Sequence, residues 1–276
     1  MSSSQHPIAL RLERAVDGPT KLLAIVLFLP LIDGIFPALI LAGALDSVVG
    51  ILQVGLLIFG GSAVLAVILA EMDGSPREQA TIVLVLAVPL VALAAIEAAL
   101  APTIASVLDL VIFERFAALV IAAIAAKTAS ARVGEYLPRP AVIVGLGFVA
   151  SIDLAGASLV VTTDLELVAR AVAAALVGVA FALAVALGGP WLREAMDIDR
   201  FRFGSAVALG VLPLALLNLV PEQAPLAVLV VAAVLAFDPG GEPIERASEG
   251  TVADGGDGEE RETRDRLLDH ERAPWQ

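Results

Sequence analysis

The chain has no cysteine, and its only two histidines, His6 and His270, lie outside its apolar stretches. Disulfides, thiolate metal sites and cysteine nucleophiles are therefore excluded. Histidine-ligated zinc or haem within a membrane is excluded as well. A net charge of −13 argues against nucleic acid, whose binding depends on lysine and arginine. We expect no cofactor and no nucleic-acid partner.

Apolar residues are in large excess: they make up 59% of the 276 residues, and the mean hydropathy is +0.91. Globular proteins are only about half apolar. Several apolar runs exceed the roughly 18 residues typical of a transmembrane helix. The composition therefore predicts an all-α, polytopic bundle of transmembrane helices whose main partner is the lipid bilayer.

Eight apolar segments can be distinguished, at 21–44, 48–70, 79–101, 106–127, 140–162, 165–188, 203–220 and 224–238. The fourth segment contains Asp109, Glu114 and Arg115, and the eighth is short, so seven spans is the alternative count. Lysine and arginine occur in alternate connections, which indicates that those connections face the cytoplasm. This alternation favours eight spans in the cell membrane, with both termini cytoplasmic. A cleaved signal peptide is disfavoured because the first run is long and contains Asp33.

The two halves of the apolar region resemble each other. "LIDGIFPALILAGALD" at 31–46 is echoed by "SIDLAGASLVVTTD" at 151–164, and "LAVPLVALAAIEAALAP" at 86–102 by "LGVLPLALLNLVPEQAP" at 209–225. These matches, at a spacing of roughly 120 residues, predict an internal duplication. We expect four regions: a cytoplasmic arm at 1–20, membrane repeats at 21–128 and 140–238, and a disordered acidic tail at 239–276.

Asp33 and Asp153 occupy matching positions in the two repeats. An aspartate at the centre of a span costs roughly 2.5–3.5 kcal/mol, so it normally faces a bundle interior or a water-filled cavity. Transporters with repeats place their sites between the repeats, near the middle of the membrane. We therefore expect the two carboxylates to bind a metal ion, another small cation or a proton together. The alternative is that both are hydrogen-bonded packing residues.

Four further polar residues are weaker candidates for a secondary site. Glu97 and Asn218 occupy comparable places in the two halves. Gln53 is a candidate hydrogen-bond partner for the aspartates. Ser151 lies two residues before Asp153 and offers a hydroxyl oxygen.

The stretches "PLIDGIFPALILAGAL" and "SIDLAGASLVV" resemble the paired aspartate-containing helices of TerC-type transporters and the wider LysE-type superfamily. This resemblance implies metal-ion export or homeostasis, with Asp33 and Asp153 at the intramembrane acidic positions. Gly34 and Leu154 depart from the Asn or Ser that usually follows the aspartate in TerC-type helices. Residues 1–240 also resemble an uncharacterised family of integral membrane proteins from halophilic archaea, which implies no activity.

A cation transporter is the favoured function, and an enzyme is not expected. A scaffold or assembly factor that transports nothing is the main alternative. An intramembrane aspartyl protease is less favoured, because Phe148 stands where the Gly-x-Gly-Asp motif of such proteases needs aspartate. Association into a homo-oligomer is left open.

Overall fold

The computed structural model describes residues 18–153 and 164–239. In this part of the chain the secondary structure is helical, apart from two isolated β-bridges that pair Leu108 with Ile152 and Met196 with Phe237. The first helices are α1 (Pro19–Ile32), α2 (Ile35–Leu41), α3 (Val48–Gln53), α4 (Ser62–Ala66), α5 (Pro76–Ala105) and α6 (Leu110–Ala129). The later ones are α7 (Ala131–Tyr136), α8 (Pro140–Ala150), α9 (Leu165–Ala195), α10 (Ile198–Leu216) and α11 (Ala224–Ala236). Two π-helical segments, Val54–Gly60 and Val67–Glu71, continue α3 and α4.

Local sequence explains where several of these helices begin. The Ser75 side chain accepts a hydrogen bond from the backbone of Glu78, and the Glu78 carboxylate accepts one in return from the Ser75 backbone. This capping box, followed by Pro76, starts α5. Asp109, Asp164 and Asp197 cap α6, α9 and α10 by accepting hydrogen bonds from backbone N–H groups of the first turn.

Three helical stretches are long and apolar enough to cross a membrane: Pro19–Leu41, Pro76–Ala105 and Leu165–Ala195. A fourth is the pair Val48–Gly60 and Ser62–Glu71, which is bent by 41°. The described residues thus provide three candidate spans, or four if the bent pair is one span. Membrane localisation is plausible on this basis.

All eight predicted segments contain helix, but the other four fall short of this test. Helices α8 and α11 have only 11 and 13 residues. Helices α6 and α10 each contain three or more charged residues. The count of eight spans stays a prediction, as does the orientation of the termini.

The helices pack around a core that draws on both predicted repeats. Helix α5 packs along α9, and the buried residues of both are mainly alanine. The two halves also differ, since the bent pair at 48–71 corresponds to the continuous 31-residue α9. The duplication therefore stays a prediction. The predicted arm and tail lie largely outside the described residues.

Helix α9 joins two ends of the bundle that carry different polar contacts. At the Arg170 end, the Arg170 guanidinium forms ion pairs with Asp46, at 3.1 Å, and with Glu166. At the Arg193 end, the Arg193 guanidinium donates to the backbone carbonyl oxygens of Leu69, at 2.8 Å, and Ile68, at 3.2 Å. These two ends serve as landmarks for the site below.

Candidate functional site

Asp33 lies at a break between α1 and α2. Its backbone N–H donates to the carbonyl oxygen of Leu29 at 2.9 Å and so closes the last turn of α1. Gly34 then adopts a left-handed conformation with φ 75°, which glycine tolerates far better than other residues. A Cβ atom at Gly34 would lie 3.3 Å from Cγ1 of Val144 in α8. The chain therefore turns at Asp33 instead of continuing as one straight helix.

A cavity of about 390 Å³ opens beside this break. Its walls come from α1, the start of α2, the junction of α3 and α4, the C-terminal part of α6, the start of α8, and α10. Most of the lining is apolar, contributed by Val26, Leu29, Pro30, Ile35, Leu57, Ile58, Ala63, Val64, Ile124, Pro140, Ala206 and Leu209. We refer to it as the Asp33 cavity.

A second helix break borders the Asp33 cavity, at Gly60–Gly61 between α3 and α4. The backbone N–H of Gly61 donates to the carbonyl oxygen of Leu56, five residues earlier, at 2.7 Å. Helix ends leave backbone N–H and C=O groups without partners inside their own helix. The cavity therefore lies where two helices are interrupted, which is the local structure of many membrane transport sites.

Two buried serines line the Asp33 cavity. Ser62, in the first turn of α4, is 6% exposed, and Ser205, on α10, is 4% exposed. Neither hydroxyl forms a hydrogen bond within the described part of the chain, and the cavity leaves both oxygens accessible. They are available to a polar ligand in the cavity.

Asp33 and Lys127 are the charged residues of the cavity lining, and both are half-buried. Lys127 lies in the last turn of α6, where a cation also complements the negative end of the helix dipole. Among the described residues, neither side chain has an oppositely charged group within 4.0 Å, and the ion pairs formed there involve Arg170 and Arg200 instead. The cavity thus has an acidic and a basic group that are not paired with each other.

Asp153 is not among the residues that line the Asp33 cavity. It is exposed, and its backbone N–H donates to the carbonyl oxygen of Val107 at 2.9 Å beside the bridge between Leu108 and Ile152. Pro140 lines the cavity at the start of α8, whereas Asp153 follows the end of that helix. Eleven helical residues span about 16 Å. The structure therefore does not bring the two carboxylates together at this cavity, and joint ion binding stays a prediction.

The weaker candidates also lie outside the Asp33 cavity. The Ser151 hydroxyl donates to the carbonyl oxygen of Gly147 at 2.7 Å, and the buried Gln53 amide donates to the carbonyl oxygen of Glu222. Asn218 is exposed in a left-handed turn with φ 57° just after α10. Oε2 of Glu97 is buried and has no hydrogen-bond partner in the described part of the chain. The first three residues have local structural roles.

Within the described ranges, no group of three or more His, Cys, Asp or Glu side chains is arranged to hold a metal ion. Sequence reasoning identified Asp33, because a charge within an apolar run is conspicuous. It missed Lys127, Ser62 and Ser205 as cavity residues. The adjacent Gly60 and Gly61 were the available signal for the second break.

Residues 90–217 match a family described only as being of unknown function (DUF5794). The matched range contains Lys127 and Ser205 and excludes Asp33 and Ser62. No curated protein and no solved structure matches the chain. From the middle of α5 to just after α10, the chain is therefore similar to an uncharacterised family.

Proposed function

We propose that this protein is a membrane transporter and that Asp33 binds a small cation or a proton during transport. The observation that carries the proposal is the position of Asp33: its carboxylate lines a cavity between two helix breaks, inside an otherwise apolar bundle. The C-terminal end of α1 adds partial negative charge beside it. Both features favour a positive ligand.

The energetic cost of Asp33 supports a functional role. A charged residue in the middle of a span costs several kcal/mol, and such residues commonly lie on the path of an ion or substrate. Asp33 has no cationic partner among the described residues that would offset this cost. Structural stabilisation therefore gives a weaker reason for this carboxylate than ligand binding does.

Asp153 enters the proposal as the residue at the matching position of the second half. A joint role would require a second conformation, since the Asp33 cavity does not include it. A protease dyad would need both carboxylates at one water molecule, and the two aspartates do not share a cavity in this structure. We therefore centre the transporter proposal on Asp33 and test Asp153 beside it.

The test uses Asp33→Asn, Asp153→Asn and the double variant, reconstituted in sealed vesicles and assayed for uptake of protons and of monovalent and divalent cations. We expect Asp33→Asn to abolish uptake while the protein stays folded, with an unchanged or higher melting temperature. If the aspartates act as one unit, the double variant is no worse than either single one. Glu194→Gln, an exposed acidic residue of α9, is the control and should transport normally.

Binding supplies an independent measure. A cation that occupies the site should raise the melting temperature of the wild type and leave that of Asp33→Asn unchanged. Full uptake by Asp33→Asn would contradict the proposal. The scaffold alternative would be favoured by a different result. In that case the wild type takes up no ion, and Asp33→Asn matches the wild type both in stability and in restoring the growth of cells that lack the protein.

A further inference from the structure

The Asp33 cavity is larger than a bare ion requires. Its volume of about 390 Å³ lies within the range of about 300–1,000 Å³ typical of pockets for organic ligands. A water molecule accounts for only about 30 Å³ in the liquid. Size alone therefore directs attention to an organic ligand with several heavy atoms.

The lining is also poorly matched to a hard metal ion. Calcium takes about six to eight oxygen ligands, and magnesium about six. The side-chain oxygens of the lining are those of the Asp33 carboxylate and of the Ser62, Ser205 and Thr128 hydroxyls, which is fewer than such an ion takes. Most of the remaining wall is aliphatic. A ligand that fills this space must present an apolar surface to it.

Lys127 adds a second requirement. Its ammonium group would repel a ligand that carries only positive charge, just as Asp33 would repel one that carries only negative charge. Both charges are half-buried in apolar surroundings and unpaired with each other. Removing such charges from water without a partner costs free energy. A ligand with one charge of each sign would satisfy both residues at once.

We infer that the Asp33 cavity binds a small dipolar organic molecule, with its cationic group at Asp33, its anionic group at Lys127 and its apolar frame against the aliphatic walls. Ser62 and Ser205 supply hydrogen bonds to its polar atoms. The inference rests on the proposed function in one respect, namely that Asp33 is the group that binds positive charge. It differs in the identity of the ligand, which is organic and carries no net charge, so that the positive charge at Asp33 is one part of a larger molecule.

Three molecules of nearly equal shape test this inference. Glycine betaine carries both charges, choline lacks the carboxylate, and 3,3-dimethylbutanoate replaces the quaternary nitrogen with carbon. Binding to the purified full chain is measured by calorimetry, and uptake is measured in vesicles. We expect the wild type to bind glycine betaine at least about tenfold more tightly than the other two, because each of those leaves one half-buried charge of the cavity unpaired.

Variants at the two charges should redirect this preference. Lys127→Gln should bind choline more tightly than glycine betaine, and Asp33→Asn should prefer 3,3-dimethylbutanoate. Lys127→Arg keeps the charge and should keep the wild-type order. A fall in affinity for all three molecules alike would indicate damage to the fold, and melting curves of each variant identify that case. The exchange of preference between the two variants is a result that misfolding does not produce.

Equal affinity of the wild type for choline and glycine betaine would overturn the inference, as would an unchanged order in Lys127→Gln. If vesicles take up sodium or manganese ions in an Asp33-dependent way and none of the three organic molecules binds, the inference fails while the proposed function stands. If nothing is taken up in an Asp33-dependent way and nothing binds, both fail.

Discussion

Gly55 and Gly178 set the distance between the first π-helical segment and α9. A Cβ atom at Gly178 would lie 2.4 Å from Cβ of Phe59, and one at Gly55 would lie 2.5 Å from Cβ of Val177. Both distances are far shorter than a van der Waals contact, so the two backbones approach closely only because these residues lack side chains. Small residues commonly have this role between membrane helices.

Substitution of Gly178 by alanine should therefore destabilise the protein. An overpacked contact of this kind typically costs about 1–3 kcal/mol. Gly145→Ala is the matched control, because a Cβ atom there has no neighbour within 4 Å and helical alanine is favoured over glycine. Melting curves in detergent should show a clear loss for Gly178→Ala and little change or a gain for Gly145→Ala. Equal stability of the two variants would contradict the packing of this segment on α9.

At the scale of single residues, the sequence predicts some site members and misses others for a physical reason. Asp33 stands out because placing a charged carboxylate within an apolar run has an unfavourable free energy, whichever helices pack against that run. Lys127 lies near the end of an apolar run, where lysine also serves as a signal of orientation. Ser62 and Ser205 are ordinary small residues in sequence. Their role depends on which helices meet, and a local pattern does not determine that.

At the scale of elements, the bent pair at 48–71 is held at both ends. At the Arg170 end, the Ser47 hydroxyl and the Gln53 amide both donate to Glu222 in the loop before α11. At the Arg193 end, Arg193 donates to backbone carbonyls of the second π-helical segment, and the buried Gln79 amide donates to the carbonyl oxygen of Met72 at 2.9 Å. These contacts fix the ends of the pair on either side of the Gly60–Gly61 break.

Arg193→Gln should destabilise the protein by about 1–3 kcal/mol, because it removes charge-assisted hydrogen bonds to carbonyl groups at the end of a helix. Arg200→Gln is the control. Arg200 is exposed and pairs with Asp197 and Asp238, and such ion pairs contribute about 0–1 kcal/mol. Chemical denaturation of both variants measures the difference. A loss at Arg200 equal to that at Arg193 would show that the contacts of Arg193 do not anchor the segment.

The apolar runs predicted the positions of the helices well and some of their ends poorly. The sixth segment was predicted to end at residue 188 and to be followed by a charged connection, but α9 continues to Ala195. It does so through Pro190, which removes one backbone hydrogen bond without ending the helix. Hydropathy identifies the residues that lie in the hydrocarbon core of the membrane. It does not show where a helix ends, because a helix can continue beyond that core into polar surroundings.

At the scale of the whole molecule, helix α9 relates the two ends of the bundle to the membrane. A helix of 31 residues is about 46 Å long, which exceeds the hydrocarbon core of about 30 Å. The Arg170 end and the Arg193 end should therefore lie on opposite sides of the membrane. The Asp33 cavity borders the Gly60–Gly61 break, which lies midway along the bent pair that joins the same two ends.

Topology reporters fused at Asp46, Asp73, Glu135 and Asp164 test this arrangement. We expect the fusions at Asp46 and Asp164 to give the same reading, because both residues line a second cavity together with Arg170. That reading should be the outside, because these two connections contain no lysine or arginine. Those at Asp73 and Glu135 should report the cytoplasm. Asp73 follows Met72, whose carbonyl oxygen accepts a hydrogen bond from Arg193, so Asp73 lies at the Arg193 end. Basic residues are frequent in the connections at this end and near Glu135, as is typical of the cytoplasmic side.

Opposite readings at Asp46 and Asp164 would contradict the fold itself, because the cavity that both residues line with Arg170 places them at one end of the bundle. An outside reading at Glu135 would leave the fold intact but remove the eight-span arrangement, because α6 would then not return the chain to the cytoplasm.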